Sequence, residues 1–308
     1  MMNLPKEVTI WEVGPRDGLQ NEPARLSTEQ KIAWINSLTE SGLTHIEVSS
    51  FVSPRWIPQL ADAAEVFAGI QKKAGVVYSA LVPNQQGLER ALNVGVKAVA
   101  VFMSASETHN KKNINKTIDE TFPVLRDVTR TAKMHQAFVR GYVSTVFGCP
   151  YEGEVSAEQV LRVALALLDD GVDEISLGDT IGVATPLQTE RVLDRLLKEI
   201  PAERLALHMH NTRGTALANL LVGLTMGITK IDSALGGLGG CPYAPGASGN
   251  VATDDVLYML QGSGIQTGID EGKLLQSLEL LQNSVGHALN SHASKVHLAQ
   301  GGDHCVTM

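Results

Sequence analysis

Short runs of consecutive apolar, often β-branched residues alternate along this chain with longer stretches whose apolar positions recur every three to four residues. The first pattern reads as buried strands and the second as helices with one covered face. It predicts strands over 8–13, 44–50, 76–82, 98–103, 139–145, 174–178, 205–210 and 230–235. Between them it predicts helices over 28–41, 85–94, 117–135, 156–170, 186–199 and 214–226, the first opened by Ser27 or Thr28 as a cap. Gly42, Gly95 and Gly171 stand where left-handed helix ends are expected. The rhythm repeats at roughly the 30 residues of one strand-and-helix unit. Eight such units read as an α/β fold of the (β/α)8 type, a TIM barrel with parallel strands over about 8–265. An extra helical piece over 270–288 and a polar tail make a C-terminal extension from about 266 to 308, and no low-complexity linker divides the 1–308 chain into further domains.

In such a barrel the chemistry sits at the C-terminal strand ends, which makes polar residues there informative. After strand 1 come Gly14-Pro15-Arg16-Asp17-Gly18, a turn carrying an adjacent cation and carboxylate. Glu47 lies within an apolar strand, where a carboxylate needs a partner. Strand 6 ends in Gly178-Asp179, another carboxylate at the same level of the barrel. Strand 7 ends in His208-Met209-His210, and residues two apart on a strand share a face, so both imidazoles point one way. A closed barrel brings Asp17, His208 and His210 to one mouth, with strand 8 between strands 7 and 1. One carboxylate and two imidazoles with open positions suit a catalytic divalent cation, Mg²⁺ or Mn²⁺ before Zn²⁺. The run from Gly236 to Asn250 is dense in glycine, as expected of a mobile loop or of backbone approaching a ligand, and it holds Cys241. Asn250 ends the run, either as a further ligand or as a cap for a helix over 251–260.

Composition narrows this picture. The 308 residues carry 25 Lys plus Arg against 33 Asp plus Glu, a net charge of −8 that argues against nucleic acid as a bulk partner. Three cysteines, Cys149, Cys241 and Cys305, lie far apart without disulfide or zinc spacing, which fits a reducing compartment. The N-terminal residues show no signal peptide and no apolar run is long enough to span a bilayer, so a cytoplasmic protein with no membrane partner is expected.

Several longer motifs carry a resemblance. The stretch from Glu12 to Glu22, Ser50 to Pro54, Lys111 to Asn115, Arg140 to Ser144, Gly148 to Gly153, Ile175 to Gly182 and Gly236 to Asn250 together resemble the hydroxymethylglutaryl-CoA lyase family. That family belongs to the metal-dependent TIM-barrel acyl-CoA lyases, relatives of Claisen-condensing synthases. The likeness covers about residues 8–262. It implies retro-Claisen cleavage of 3-hydroxy-3-methylglutaryl-CoA to acetyl-CoA and acetoacetate, a step of leucine catabolism, in a homodimer. It further implies a Mg²⁺ or Mn²⁺ held by Asp17, His208, His210 and Asn250, with His208 or Asp17 as base. Arg16 would stabilise the enolate oxygen, Cys241 would protonate the enolate carbon, and Glu47 would orient metal-bound water or ligands. Glu12 and Asp179 are implied as supporting carboxylates. Gln20, Asn113 and Tyr142 would line the acyl or CoA channel, and Lys111 and Lys112 would meet CoA phosphates. The chain departs from the family pattern at Asn211 and Arg213, where Asp and Tyr are expected, and at Pro23, where Lys is common. The departures leave open another acyl group, in citramalyl-CoA or a longer branched 3-hydroxyglutaryl-CoA, with Arg213 meeting a displaced carboxylate. A condensing synthase is a further alternative. The apolar face of Leu274, Leu275, Leu278 and Leu281 in the C-terminal helix is expected to cover either a partner subunit or its own barrel.

Overall fold

The computed structural model describes residues 2–240 and 249–299. Eight parallel strands close on one another in sequence order: β1 (Thr9–Glu12), β2 (His45–Ser50), β3 (Val77–Leu81), β4 (Ala98–Ser104), β5 (Phe138–Ser144), β6 (Glu174–Gly178), β7 (Leu205–His208) and β8 (Lys230–Ser233). The last pairs with the first in register, Thr9 beside Lys230 and Glu12 beside Ser233. Around this ring lie α1 (Thr28–Glu40), α2 (Ala63–Gly69), α3 (Gln85–Asn93), α4 (Glu107–Ile114), α5 (Ile118–Met134), α6 (Ala157–Asp169), α7 (Pro186–Leu196), α8 (Ala216–Thr225) and α9 (Thr253–Gly262). Two more, α10 (Glu271–Val285) and α11 (His292–Ala299), follow the barrel.

The helices begin where side chains can satisfy their first free N–H groups. Ser27 and Thr117 form reciprocal capping boxes with Gln30 and Glu120, while Asn84, Ser106, Ser156 and Thr185 each accept one backbone N–H. Gly42, Gly95 and Gly171 have φ of +93°, +78° and +96°, the left-handed conformation expected after α1, α3 and α6.

Three elements are absent from the sequence-based outline. The helix α2 is only seven residues long. The helix α4 carries no apolar stripe, and it is held instead by the Ser106 cap, Glu107 in its first turn and Lys111 and Lys112 in its last. The polar tail contains α11, whose first N–H groups, from His292 and Ala293, donate to Asp255 on α9 at 2.8–3.1 Å. Such a long-range cap leaves no local trace. Strand 7 is also shorter than expected: it ends at His208, and His210 pairs as an isolated bridge with Asn250. The apolar face of α10 is covered within the chain. Leu274, Leu278 and Leu281 are fully buried, and α10 packs on α1 and α9. No helix among the described residues is long and apolar enough to cross a membrane.

Candidate active site

The backbone after β1 makes one wide π-helical turn, Gly14–Gly18, with Pro15 in its first positions and the N–H groups of Arg16, Asp17 and Gly18 aimed at Val13 O. This turn lifts Arg16 and Asp17 to the C-terminal mouth of the barrel. Gly14 is required there, because a Cβ would fall 2.5 Å from Glu12 Oε1. Glu12 ties the mouth together from below: it accepts N–H from Gly14 at 2.8 Å and Leu235 at 3.0 Å, and the Thr253 hydroxyl at 2.6 Å.

Arg16 is buried between two carboxylates. Its Nε donates to Glu47 Oε2 at 2.6 Å, and its Nη1 pairs with Asp17 Oδ1. Its guanidinium lies 5.2 Å from the centre of the Tyr142 ring. Burial alone would lower the Arg16 pKa, but Asp17 and Glu47 outweigh it and keep the group cationic. Burial conversely raises Glu47, against the pull of Arg16. Tyr142 donates its hydroxyl to Glu47 Oε2 at 3.1 Å, and burial followed by the Glu47 and Asp232 charges holds the phenol well above its usual range.

Asp17 faces His208 and His210, and the three offer ligand atoms all within 4.8 Å of one another. His208 Nε2 is 3.7 Å from Asp17 Oδ2 and 3.3 Å from His210 Nε2. Two ring nitrogens that close require a proton or a cation between them. Although burial disfavours an ionised Asp17, Arg16 and the two histidines bring it well below the usual carboxylate range. Burial, with His208 alongside, pushes His210 down to about 4, so at neutral pH it is an uncharged imidazole able to ligate. Glu47 Oε1 is a buried oxygen with no hydrogen-bond partner among the described residues. An ionised carboxylate, two imidazoles and this spare oxygen fit a divalent cation with bound water.

These groups open into a cavity of about 880 Å³. Gln20, Asn113 and Tyr142 all line it, as do Lys111, Lys112 and Asn250. A family model described as HMGL-like matches residues 7–281. The chain belongs to the HMGL-like family.

Its relatives are close and nearly full-length. Hydroxymethylglutaryl-CoA lyase YngG of Bacillus subtilis is 55% identical over 295 residues, 96% of this chain and 99% of the relative. A Pseudomonas aeruginosa protein named 3-hydroxy-3-isohexenylglutaryl-CoA/hydroxy-methylglutaryl-CoA lyase is 50% identical, covering 97% of this chain and all of the relative. The crystal structure of the Bacillus subtilis HMG-CoA lyase superposes with a TM-score of 0.95 at 54% identity, over 96% of this chain and 100% of that one. An Acinetobacter baumannii HMG-CoA lyase in complex with coenzyme A and 3-methylmalate gives 0.91 at 40% identity, over 98% and 97% of the two chains.

In this HMGL-like chain most sequence-predicted residues meet, but some do other work. Asn250 does not cap α9, which starts after Ala252; its amide donates to Asp17 Oδ2 at 2.9 Å and Leu238 O at 3.2 Å. Asp179 is turned into its own loop, accepting N–H from Val183 and Ala184, and burial raises it to about 6. Arg213 clamps the same loop, with Nη1 donating to Ile181 O and Gly182 O at 2.9 Å each, and Asn211 accepts Ala216 N–H at the start of α8. The departures at Asn211 and Arg213 brace backbone here, and neither residue is in the cavity lining. Cys241 and Cys305 lie outside the described residues, whereas Cys149 is buried, with Sγ 3.0 Å from Ser106 Oγ.

One site residue escaped the sequence reading. Asp232 on β8 is buried, and its Oδ2 is 3.2 Å from His208 Nδ1 and accepts the Ser176 hydroxyl at 2.7 Å. Its Oδ1 pairs with Arg140 at 2.7 Å, and Arg140 in turn pairs with Glu174 at 2.9 Å. The signal available was its place two residues after Lys230, on the same strand face and near the C-terminal end of β8.

Proposed function

We propose that the chain cleaves 3-hydroxy-3-methylglutaryl-CoA to acetyl-CoA and acetoacetate by a retro-Claisen reaction. The observation that carries this reading is the convergence of Asp17, His208 and His210 with the buried Arg16 in one cavity, in a chain with full-length lyase relatives. The residues that would hold the cation are Asp17, His208 and His210, with Asn250 beside them. Mg²⁺ or Mn²⁺ held there would supply Lewis acidity that lowers the pKa of a substrate hydroxyl.

The chain's own groups then divide the proton work. The base for the C3 hydroxyl is Asp17 or His208: both are ligand candidates, and His208, with Nδ1 on Asp232, can take the proton only where Nε2 is not on the cation. The C3 oxygen electrons form the ketone of acetoacetate while the C2–C3 pair moves onto the thioester as an enolate. Arg16, held cationic between two carboxylates, stabilises the thioester enolate oxygen, a contribution of about 3–4 kcal/mol for a donor so placed. Glu47 and Tyr142 keep Arg16 aimed. Protonation of C2 completes acetyl-CoA, and Cys241 is the proposed donor. It lies in sequence between Gly240 and Asn250, both of which line the cavity. Lys111 and Lys112 at the rim are suited to CoA phosphates.

A longer branched acyl group is a second reading, favoured by apolar Val52, Ile57, Leu81 and Phe102 in the cavity wall and by the Pseudomonas aeruginosa relative's name. A panel of 3-hydroxyacyl-CoA thioesters with Mn²⁺, following acetyl-CoA release, tests both. The methyl substrate is expected to turn over, and no acetyl-CoA from any member would refute lyase activity. We further propose a cytoplasmic homodimer in which barrel and C-terminal helices fold as one unit. Sedimentation at twice the 33.0 kDa chain mass is the expected result.

A further inference from the structure

The barrel has a second open end. Its N-terminal mouth encloses a cavity of about 580 Å³ on the face opposite the active site, at the first residues of β1 to β6 and of β8. Conserving stability is the usual business of that face, and a filled floor would serve it better than a void of ligand size.

The walls have two chemical characters. The aromatic surface that a ligand can reach comes from the half-buried His45 and Phe138. Behind them the buried Trp11, 4.5 Å from His45 and stacked on Phe138 at 6.2 Å, carries Arg140 at 4.2 Å, and the buried Phe67 lies 5.9 Å from Lys72. Positive charge comes from Lys72, Lys73, Lys97 and Lys230. In a chain of net charge −8 this is a local reversal of sign. The one carboxylate in the lining, Glu174, is already shared by Lys230 and the buried Arg140. Lys73 reaches only the exposed Glu40, at 3.4 Å, and Lys72 and Lys97 make no ion pair among the described residues. In the same wall His45 is pushed down to about 4, by burial first and then by Arg140 and Lys230.

Two of these lysines, Lys72 and Lys97, line the mouth with no ion pair among the described residues beside the paired Lys73 and Lys230, and an anion relieves the repulsion among the four. Ammonium groups serve as point charges for phosphate, and flat aromatic walls add about 1–3 kcal/mol for a stacked base. We propose that the N-terminal mouth is a second ligand site, which takes an organic phosphate carrying a planar ring, the chemistry of a nucleoside phosphate. The phosphate sits among Lys72, Lys97 and Lys73 at the rim, and the ring enters against the aromatic walls.

AMP is the probe, titrated calorimetrically into the full chain. The double variant K72E/K97E, both positions exposed, is expected to raise the AMP Kd at least about tenfold, a loss of 1.4 kcal/mol, with lyase kcat unchanged when AMP is absent. K111E/K112E, at the opposite mouth, should leave the AMP Kd within about twofold. The reverse pattern would put AMP in the active-site channel and overturn the proposal, as would an absence of binding at millimolar AMP. Inorganic phosphate is the second arm: it should bind at least about tenfold more weakly than AMP. Equal affinities would overturn the assignment of a ring-bearing ligand.

Discussion

Arg16 has the most demanding surroundings of any residue at the mouth, because its full charge must be buried and still face a reacting atom. Glu47 makes this possible by compensating the charge from inside the barrel, through a hydrogen bond of 2.6 Å. Glu47→Gln keeps an acceptor but removes that charge. The expected outcome is a kcat lower by about 10–100-fold with KM changed far less, as steady-state kinetics would show. An equal loss in KM would make Glu47 a substrate-binding group instead. Glu12 provides a different test, of stability. Burial, opposed by hydrogen bonds from Thr253, Leu235 and Gly14, raises its pKa from 4.5 to about 7. Between those values the folded chain retains a proton that the unfolded chain has released, so Glu12's contribution is complete below pH 4.5 and lost as pH rises through 7. The size of the loss is about 3 kcal/mol. In Glu12→Gln an amide replaces the protonated carboxyl, with its nitrogen able to donate to Thr253. Urea midpoints of the variant should be flatter than those of the parent between pH 5 and 8, and parallel curves would show that Glu12 stays ionised in the fold.

Among the elements, β5, β6, β7 and β8 carry what was hardest to read. The eight strands, most helices and the placing of Asp17, His208 and His210 were legible, because burial on both faces writes apolar runs and a closed ring fixes which strand ends meet. Arg140, Glu174 and Asp232 are all buried inside the barrel as one ionic network. Alternation tells which face a residue takes but not which charges across the barrel will pair, so Asp232 gave no functional signal. The helices α4 and α11 were lost for a related reason, since their stability lies in a cap and in contacts with Asp254 and Asp255, not in an apolar stripe. Asp232 fixes the tautomer and tilt of His208 from below, leaving Nε2 free for the cavity. Asp232→Asn retains the volume but turns an acceptor into a group that also donates, and it should weaken Mn²⁺ binding by about 10–100-fold. Manganese titration by electron paramagnetic resonance reads this directly, independently of turnover. Unchanged affinity would reduce Asp232 to a partner of Arg140.

At the scale of the whole molecule, the site's ligands come from opposite ends of the sequence: Asp17 follows β1 while His208 and His210 follow β7. Their ligand atoms meet only when the ring is closed through β8, so a cation that bridges them binds the folded chain and not the unfolded one. Linkage then turns occupancy into stability, about 2.7 kcal/mol at a free Mn²⁺ concentration 100 times its Kd. For 308 residues the unfolding entropy is roughly 0.65 kcal/mol per degree, which makes the expected rise in Tm about 4 °C over a sample held in chelator. His210→Ala removes one imidazole from the cluster while leaving Asp17 and His208 in place. It should abolish most of that rise yet shift the chelated Tm much less, since His210 follows the end of β7 and its backbone is held there by an isolated bridge to Asn250. A Mn²⁺-dependent rise that survives His210→Ala in full would locate the stabilising cation elsewhere, and the cluster at the C-terminal mouth would lose its assigned role.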